Sequence, residues 1–393
     1  MWRCCFSQAW VQWTRTLAAA LVGTTVPAFF AFAVEPELPP PDSAPALSAW
    51  EHTFTVKAGV GYKDNLTLAR KGREASPFVA TALEAFALRE AVDGHQLTLL
   101  GSVEDTRYWA GETVDHGDLA LAQGEWRRFW PNDWQAALGV ETIYLDQVVD
   151  LLGVDPALSA IRTNRAVALR AWTLGVRPGT RRELSSEVWL TLEFPMSRQI
   201  YNRLLDDSWE LGPKMIVGRN YGNESEVSIS YSFTHRDYDT GSGREAGATN
   251  VLGSTNRLAA QHDAVGAWKH HWDGARRWRS ATKLGYRHSS ERFSRYFDYE
   301  RYLVAHELRF QGDKWELSAE ARLAYYRYPV QTVSDNDLRK RRRTDLTLAL
   351  RGERQVASHL RLYAQYEYER TDSNAALDEY TVNTVSGGVA VEF

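Results

Sequence analysis

The chain has 393 residues with 46 Lys and Arg against 50 Asp and Glu, and a net charge of −4 leaves no electrostatic footprint for nucleic acid. Aromatic residues are abundant (15 Trp, 18 Tyr, 14 Phe) although mean hydropathy is negative. Beyond residue 33 no run approaches the roughly 20 consecutive apolar residues of a membrane helix. A chain rich in aromatic side chains yet polar on average suits a β-barrel with a lipid-facing exterior and a polar interior. A soluble sandwich or propeller shares that profile, and the two ends of the chain separate the readings.

At the N-terminus, Arg3 and Arg15 supply positive charge, Thr16 to Ala33 an apolar core and Ala31-Phe32-Ala33 an A-x-A cleavage site. Residues 1–33 therefore read as a secretory signal, with Val34 as the new N-terminus. Residues 34–51 read as a Pro-rich periplasmic linker carrying Glu35, Glu37 and Asp42. The alternative, a retained anchor, would have to continue a helix through those prolines. Cys4 and Cys5 precede the apolar core, so neither can be the lipidated residue of a lipoprotein, and their removal leaves no cysteine for a disulfide or thiolate metal site. With two arginines lost and no acidic residue, the charge of the mature chain is −6.

From residue 52 to 393 the chain breaks into short alternating segments, read as an all-β transmembrane antiparallel barrel of about 16 strands. The expected strands are 52–68, 77–92, 95–110, 116–130, 133–148, 164–177, 184–200, 208–220, 224–239, 260–272, 277–297, 300–312, 314–330, 341–354, 357–372 and 379–393. Val227, Ile229, Tyr231 and Phe233 alternate with Ser228, Ser230, Ser232 and Thr234; Leu346, Leu348 and Leu350 alternate with Thr347, Ala349 and Arg351. A period of two puts one set against something apolar and the other against something wet. Short turns are expected at Asp93-Gly94, Pro131-Asn132-Asp133, Pro178-Gly179, Tyr221-Gly222-Asn223, Asp273-Gly274, Gly312-Asp313 and near Gln355, and the longest loops at 149–163 and 240–259. Short turns alternating with long loops are the pattern of outer-membrane barrels, periplasmic turns facing one way and external loops the other. Trp126, Trp130, Trp134, Trp268, Trp272, Trp278 and Trp315 gather beside the short turns, where indoles would form an interfacial girdle. In the last strand Val385, Val389, Val391 and the terminal Phe393 share one face, a pattern that resembles the signal read by the outer-membrane barrel-assembly machinery.

Gly59-Val60-Gly61-Tyr62-Lys63-Asp64-Asn65 resembles the first-strand Gly-x-Gly-Tyr-x-Asp-Asn pattern of an outer-membrane β-barrel porin-like family of uncharacterised bacterial proteins. Lys63 stands where an acidic residue is common in such sequences. The resemblance implies a porin-like channel in the cell outer membrane for passive diffusion of small hydrophilic solutes, without a cofactor. The alternative is a structural or polysaccharide-export-associated barrel with a filled or gated lumen; a barrel enzyme is the third class. The partners implied are lipid, lipopolysaccharide and small solutes, and the oligomeric state is left open, a homo-oligomer included.

Specific residues follow. The apolar connection 149–163, the third external loop by count, would fold inward as in sixteen-stranded porins, with Leu151, Leu152, Leu158 and Ile161 on the inner wall. Asp150 and Asp155 would then face the pore opposite inward arginines such as Arg170; the competing reading is a short amphipathic helix across the barrel mouth or against a subunit neighbour. Arg339, Lys340, Arg341, Arg342 and Arg343 form a basic run at the outer end of a strand, either a clamp on lipopolysaccharide phosphates or a solvated loop. Inward charges of both signs suit hydrophilic solutes without marked ion preference, or equally a plugged lumen. His288-Ser289 lacks the surroundings of an outer-membrane phospholipase. His270-His271 would face opposite sides of a strand and could not share one metal ion.

Overall fold

The computed structural model describes residues 50–150, 166–202, 205–222, 224–244, 251–292, 295–334 and 336–393. They form an all-β, closed antiparallel barrel of 16 spans, two of them interrupted. The first eight are β1 (Trp50–Lys63), β2 (Ser76–Val92), β3 (His95–Tyr108), β4 (His116–Trp130), β5 (Trp134–Asp150), β6 (Ala166–Glu183), β7 (Val188–Glu193 and Met196–Tyr201) and β8 (Ser208–Leu211 and Lys214–Tyr221). The rest are β9 (Ser225–Arg244), β10 (Val251–His271), β11 (Trp278–Glu291), β12 (Tyr299–Gln311), β13 (Trp315–Ser334), β14 (Asp337–Gln355), β15 (Leu360–Ser373) and β16 (Tyr380–Glu392). Each pairs with the next, and β16 returns to β1 from Thr55↔Glu392 to Lys63↔Thr384. Closure pairs the backbone groups that an open edge would leave bare, the condition for a sheet in lipid.

Alternation in the sequence becomes inside and outside. On β9, Val227, Ile229 and Tyr231 are exposed on the outer face while Ser228 and Ser230 are buried on the inner. The seven tryptophans named above all point outward at the end of the short turns. There Arg128, Arg182 and Arg354 lie 5.3, 5.2 and 5.1 Å from the rings of Trp130, Trp134 and Trp315, each charged head held over an indole. The tightest turn, Asp93-Gly94, has φ of 51° and 77°, the left-handed pair a two-residue hairpin requires.

Each expected strand corresponds to one span, but two connections differ. Pro178-Gly179 is not a turn: β6 runs through it to Glu183, and the chain reverses at Leu184–Glu187. The expected loop at 240–259 is largely paired, because β9 continues to Arg244 and β10 begins at Val251, with register shifts after Asp237 and Ser242. Its Gly, Ser and Thr residues carry turn chemistry but also tolerate a bulged ribbon.

The interior is not uniformly polar. On the wall of β2–β6, Leu100, Leu121 and Ile143 pack with Phe86 and Leu119, and Leu145, Leu169 and Ala171 form a second buried cluster beside them.

Candidate functional site in the barrel interior

Inward charges meet across neighbouring strands. Lys57 of β1 holds Glu84 of β2 at 2.5 Å, Arg309 of β12 holds Glu316 of β13 at 2.6 Å, and Arg279 of β11 holds Glu307 of β12 at 3.2 Å. Lys214 and Glu193 (3.4 Å) and Arg177 and Glu125 (3.3 Å) continue the belt through β4–β8. Removing one member of a buried pair such as Lys57–Glu84 strands the other charge, at a cost of about 3–5 kcal/mol. These pairs tie strand to strand and occupy much of the wall.

Toward the other end the wall of β9–β14 carries arginines among aromatic rings. Arg257 lies 4.3 Å from the ring of Tyr238 and 4.1 Å from that of Phe297. Arg287 donates through Nε to Asp263 at 2.6 Å, and Arg301 stands 3.8 Å from the same carboxylate. Between this wall and β1–β5 lies a cavity of about 310 Å³. Its charged lining includes Lys57, Lys63, Arg322 and Arg343 together with Glu104, Asp345, Glu367 and Glu369, and Tyr108, Tyr326, Tyr363 and Tyr380 add hydroxyls. Such a lining can bind a hydrated solute by either charge or by hydrogen bonds. Among the described residues no three His, Cys, Asp or Glu side chains gather as a metal site.

The predicted residues are not brought together. Arg170 does not face the interior: Leu169 and Ala171 do, and Arg170 has the opposite parity on β6, its side chain 53% exposed. It bonds Asp146 of β5 through Nε at 2.7 Å, because the cross-strand partner of an outward residue is also outward. Asp150 ends β5, and Asp155 lies outside the described residues. The basic run is divided by the same parity. Arg341 and Arg343 are buried inward, on Asp378 and, at 2.5 Å, on Asp345. Lys340 and Arg342 are exposed on the other side, while Arg339 is held by Asp337 at 2.6 Å. His288 pairs in register with Glu300 on the outer face, while Ser289 is buried inside. His270 stacks outward on Trp268, 5.5 Å between centroids, whereas His271 turns inward. Phe393 is exposed, exchanges backbone hydrogen bonds with Phe54 and lies 6.3 Å from its ring at the closing seam.

Missed in the sequence was the role of the Gly-x-Gly-Tyr-x-Asp-Asn segment, which fastens the first strand to the last. Gly59 faces Gly388 across the seam. A Cβ on Gly59 would meet the Tyr363 hydroxyl at 2.3 Å, and one on Gly388 the Ala58 carbonyl at 2.2 Å. Asp64 accepts from the backbone N–H and the side-chain amide of Asn383, both at 2.7 Å. Asn65, fully buried, donates to the carbonyls of Ala69 (2.9 Å) and Thr381 (3.0 Å) and accepts from the Ala69 N–H at 3.0 Å. The motif is a clasp at the seam, and within it Gly59 and Lys63 also line the cavity.

Fold and interior define the class of this protein: a sixteen-stranded closed antiparallel β-barrel with a charge-lined interior. In the solved structures it is similar to OccAB1 of Acinetobacter baumannii at 7% identity, with 88% of this chain and 97% of that chain covered and a TM-score of 0.49. It is also similar to a BenF-like porin from Pseudomonas fluorescens Pf-5 (8% identity, 88% and 99% covered, TM-score 0.48). A third likeness is to OccK9 (OpdG) of Pseudomonas aeruginosa (10%, 88% and 98% covered, TM-score 0.47). No family model matches the chain, and no curated protein matches it in sequence.

Proposed function

We propose that the protein is a porin-like channel of the bacterial outer membrane for passive diffusion of small hydrophilic solutes. The observation that carries this reading is the roughly 310 Å³ cavity inside the closed barrel, lined by charges of both signs and by tyrosines. Outer-membrane location is supported by the apolar exterior, the tryptophans beside the short turns and the longer connections opposite, such as 64–75. Export by a cleaved signal, and recognition of the strand ending in Phe393 by the assembly machinery, belong to the same reading. Barrel protein purified from membranes and placed in a planar bilayer is expected to give stepwise single-channel conductance. The density of inward ion pairs favours a second reading, a structural or export-associated barrel with a filled or gated lumen. Silence of correctly folded protein would replace the first reading with that one.

A further inference from the structure

The outer face of β11–β14 is graded. Leu284, Val304 and Leu323 are exposed in an apolar band. Next comes a row of tyrosines, with Tyr286 opposite Tyr302 and Tyr302 opposite Tyr325. Two residues beyond Tyr325, toward the end of the longer connections, stands Arg327, and its register partner on β14 is Arg342. Both are exposed, and Lys340 follows on the same parity as Arg342.

Like charges set directly across an antiparallel pair repel, with Cα atoms only about 4.5–5.5 Å apart. Glu300 lies 3.7 Å from Arg327 and offsets part of that. The Lys340 ammonium donates to the Val330 carbonyl at 3.1 Å, and the nearby Asp372 is engaged by Arg370 at 2.9 Å. No carboxylate pairs with Arg342 among the described residues.

We propose that Arg327 and Arg342, flanked by Lys340, bind the phosphate of a phosphorylated glycolipid in the outer leaflet. The proposal rests on the outer-membrane reading above, though not on the channel being open. Tyrosines mark the headgroup level of a barrel, and guanidinium pairs grip phosphate bidentately, so an anion between them converts the repulsion into attraction. The apolar band beneath receives the acyl chains. A free phosphate ion shares the charge but not this anchorage.

The test uses the folded barrel in phosphatidylethanolamine nanodiscs containing either bisphosphorylated lipid A or its dephosphorylated form, with bound glycolipid counted by native mass spectrometry. Wild type is expected to retain the bisphosphorylated form selectively, against added inorganic phosphate. Arg327→Gln with Arg342→Gln is expected to weaken retention roughly tenfold or more, since charge-assisted hydrogen bonds are lost. Arg342→Gln alone, the milder variant should the double one fold poorly, falls between. Heat-modifiable migration reports folding, and conductance should not change, because both arginines lie outside the lumen. Equal retention by the folded variants, equal retention of the dephosphorylated lipid, or displacement by inorganic phosphate would each overturn the proposal. Binding without conductance would remove only the channel reading, and failure of wild type to fold into any bilayer would remove both.

Discussion

Gly388 illustrates how little room the closing seam leaves. Its Cα stands opposite Gly59, and the Tyr363 hydroxyl lies in the space two side chains would otherwise occupy. A methyl group there would come within 2.2 Å of the Ala58 carbonyl oxygen, a backbone atom that cannot swing aside. Gly388→Ala is therefore expected to cost about 1–3 kcal/mol through overpacking and to lower the fraction of heat-modifiable barrel. Gly101→Ala, at a position with nothing within 4 Å, should migrate as wild type in the same gel, and equal behaviour of the two variants would show that the seam relaxes. The motif holding Gly59 was visible as a resemblance, but its purpose was not. Asp64 and Asn65 bond to residues 319 and 316 positions away, and no local pattern announces a contact at that separation.

Three prolines explain why two of the strands are interrupted. Pro178 of β6, Pro195 between the halves of β7 and Pro213 between the halves of β8 each accept a backbone hydrogen bond, from Phe194 (2.9 Å), Gly212 (3.2 Å) and Phe233 (3.1 Å) respectively. None can donate the reciprocal bond, so the ladder is half-made at three neighbouring rungs. Pro-Gly reads as a turn because turn and defective rung use the same residues; only the register setting Pro178 beside Phe194-Pro195 distinguishes them. The other turns were legible from local chemistry, and strand count from alternation. Pro195→Val restores a donor facing the Gly212 carbonyl and should stabilise the barrel by about 0.5–1.5 kcal/mol, read as a higher urea midpoint in detergent or lipid. A lowered midpoint would mean that β7 needs the proline's fixed geometry more than the missing bond.

At the scale of the whole barrel, the apolar inner wall of β4–β6 sets a condition for the interior. Leu145 and Leu169 face inward and pack with Leu119, Tyr201 and Leu205, and Leu169 is wholly buried, so this patch of the wall offers a solute no charge and the charges that meet it are those lining the cavity. Leu151, Leu152, Leu158 and Ile161 of the connection between β5 and β6 lie outside the described residues. We propose that the ion preference of the solute path is set by the carboxylates of Glu104, Glu367 and Glu369, which stand on the wall of the cavity. Arg170, tied outside to Asp146, has no part in it, so the opposing cations would be inward ones such as Arg322 and Arg343, which line the cavity. Fixed carboxylates at a narrow point favour cations. Glu367→Gln with Glu369→Gln should therefore move the reversal potential in a salt gradient toward that of anions, while Asp146→Asn on the outer face should not. A conducting barrel whose reversal potential ignores the first pair of substitutions would place the solute path away from this cavity.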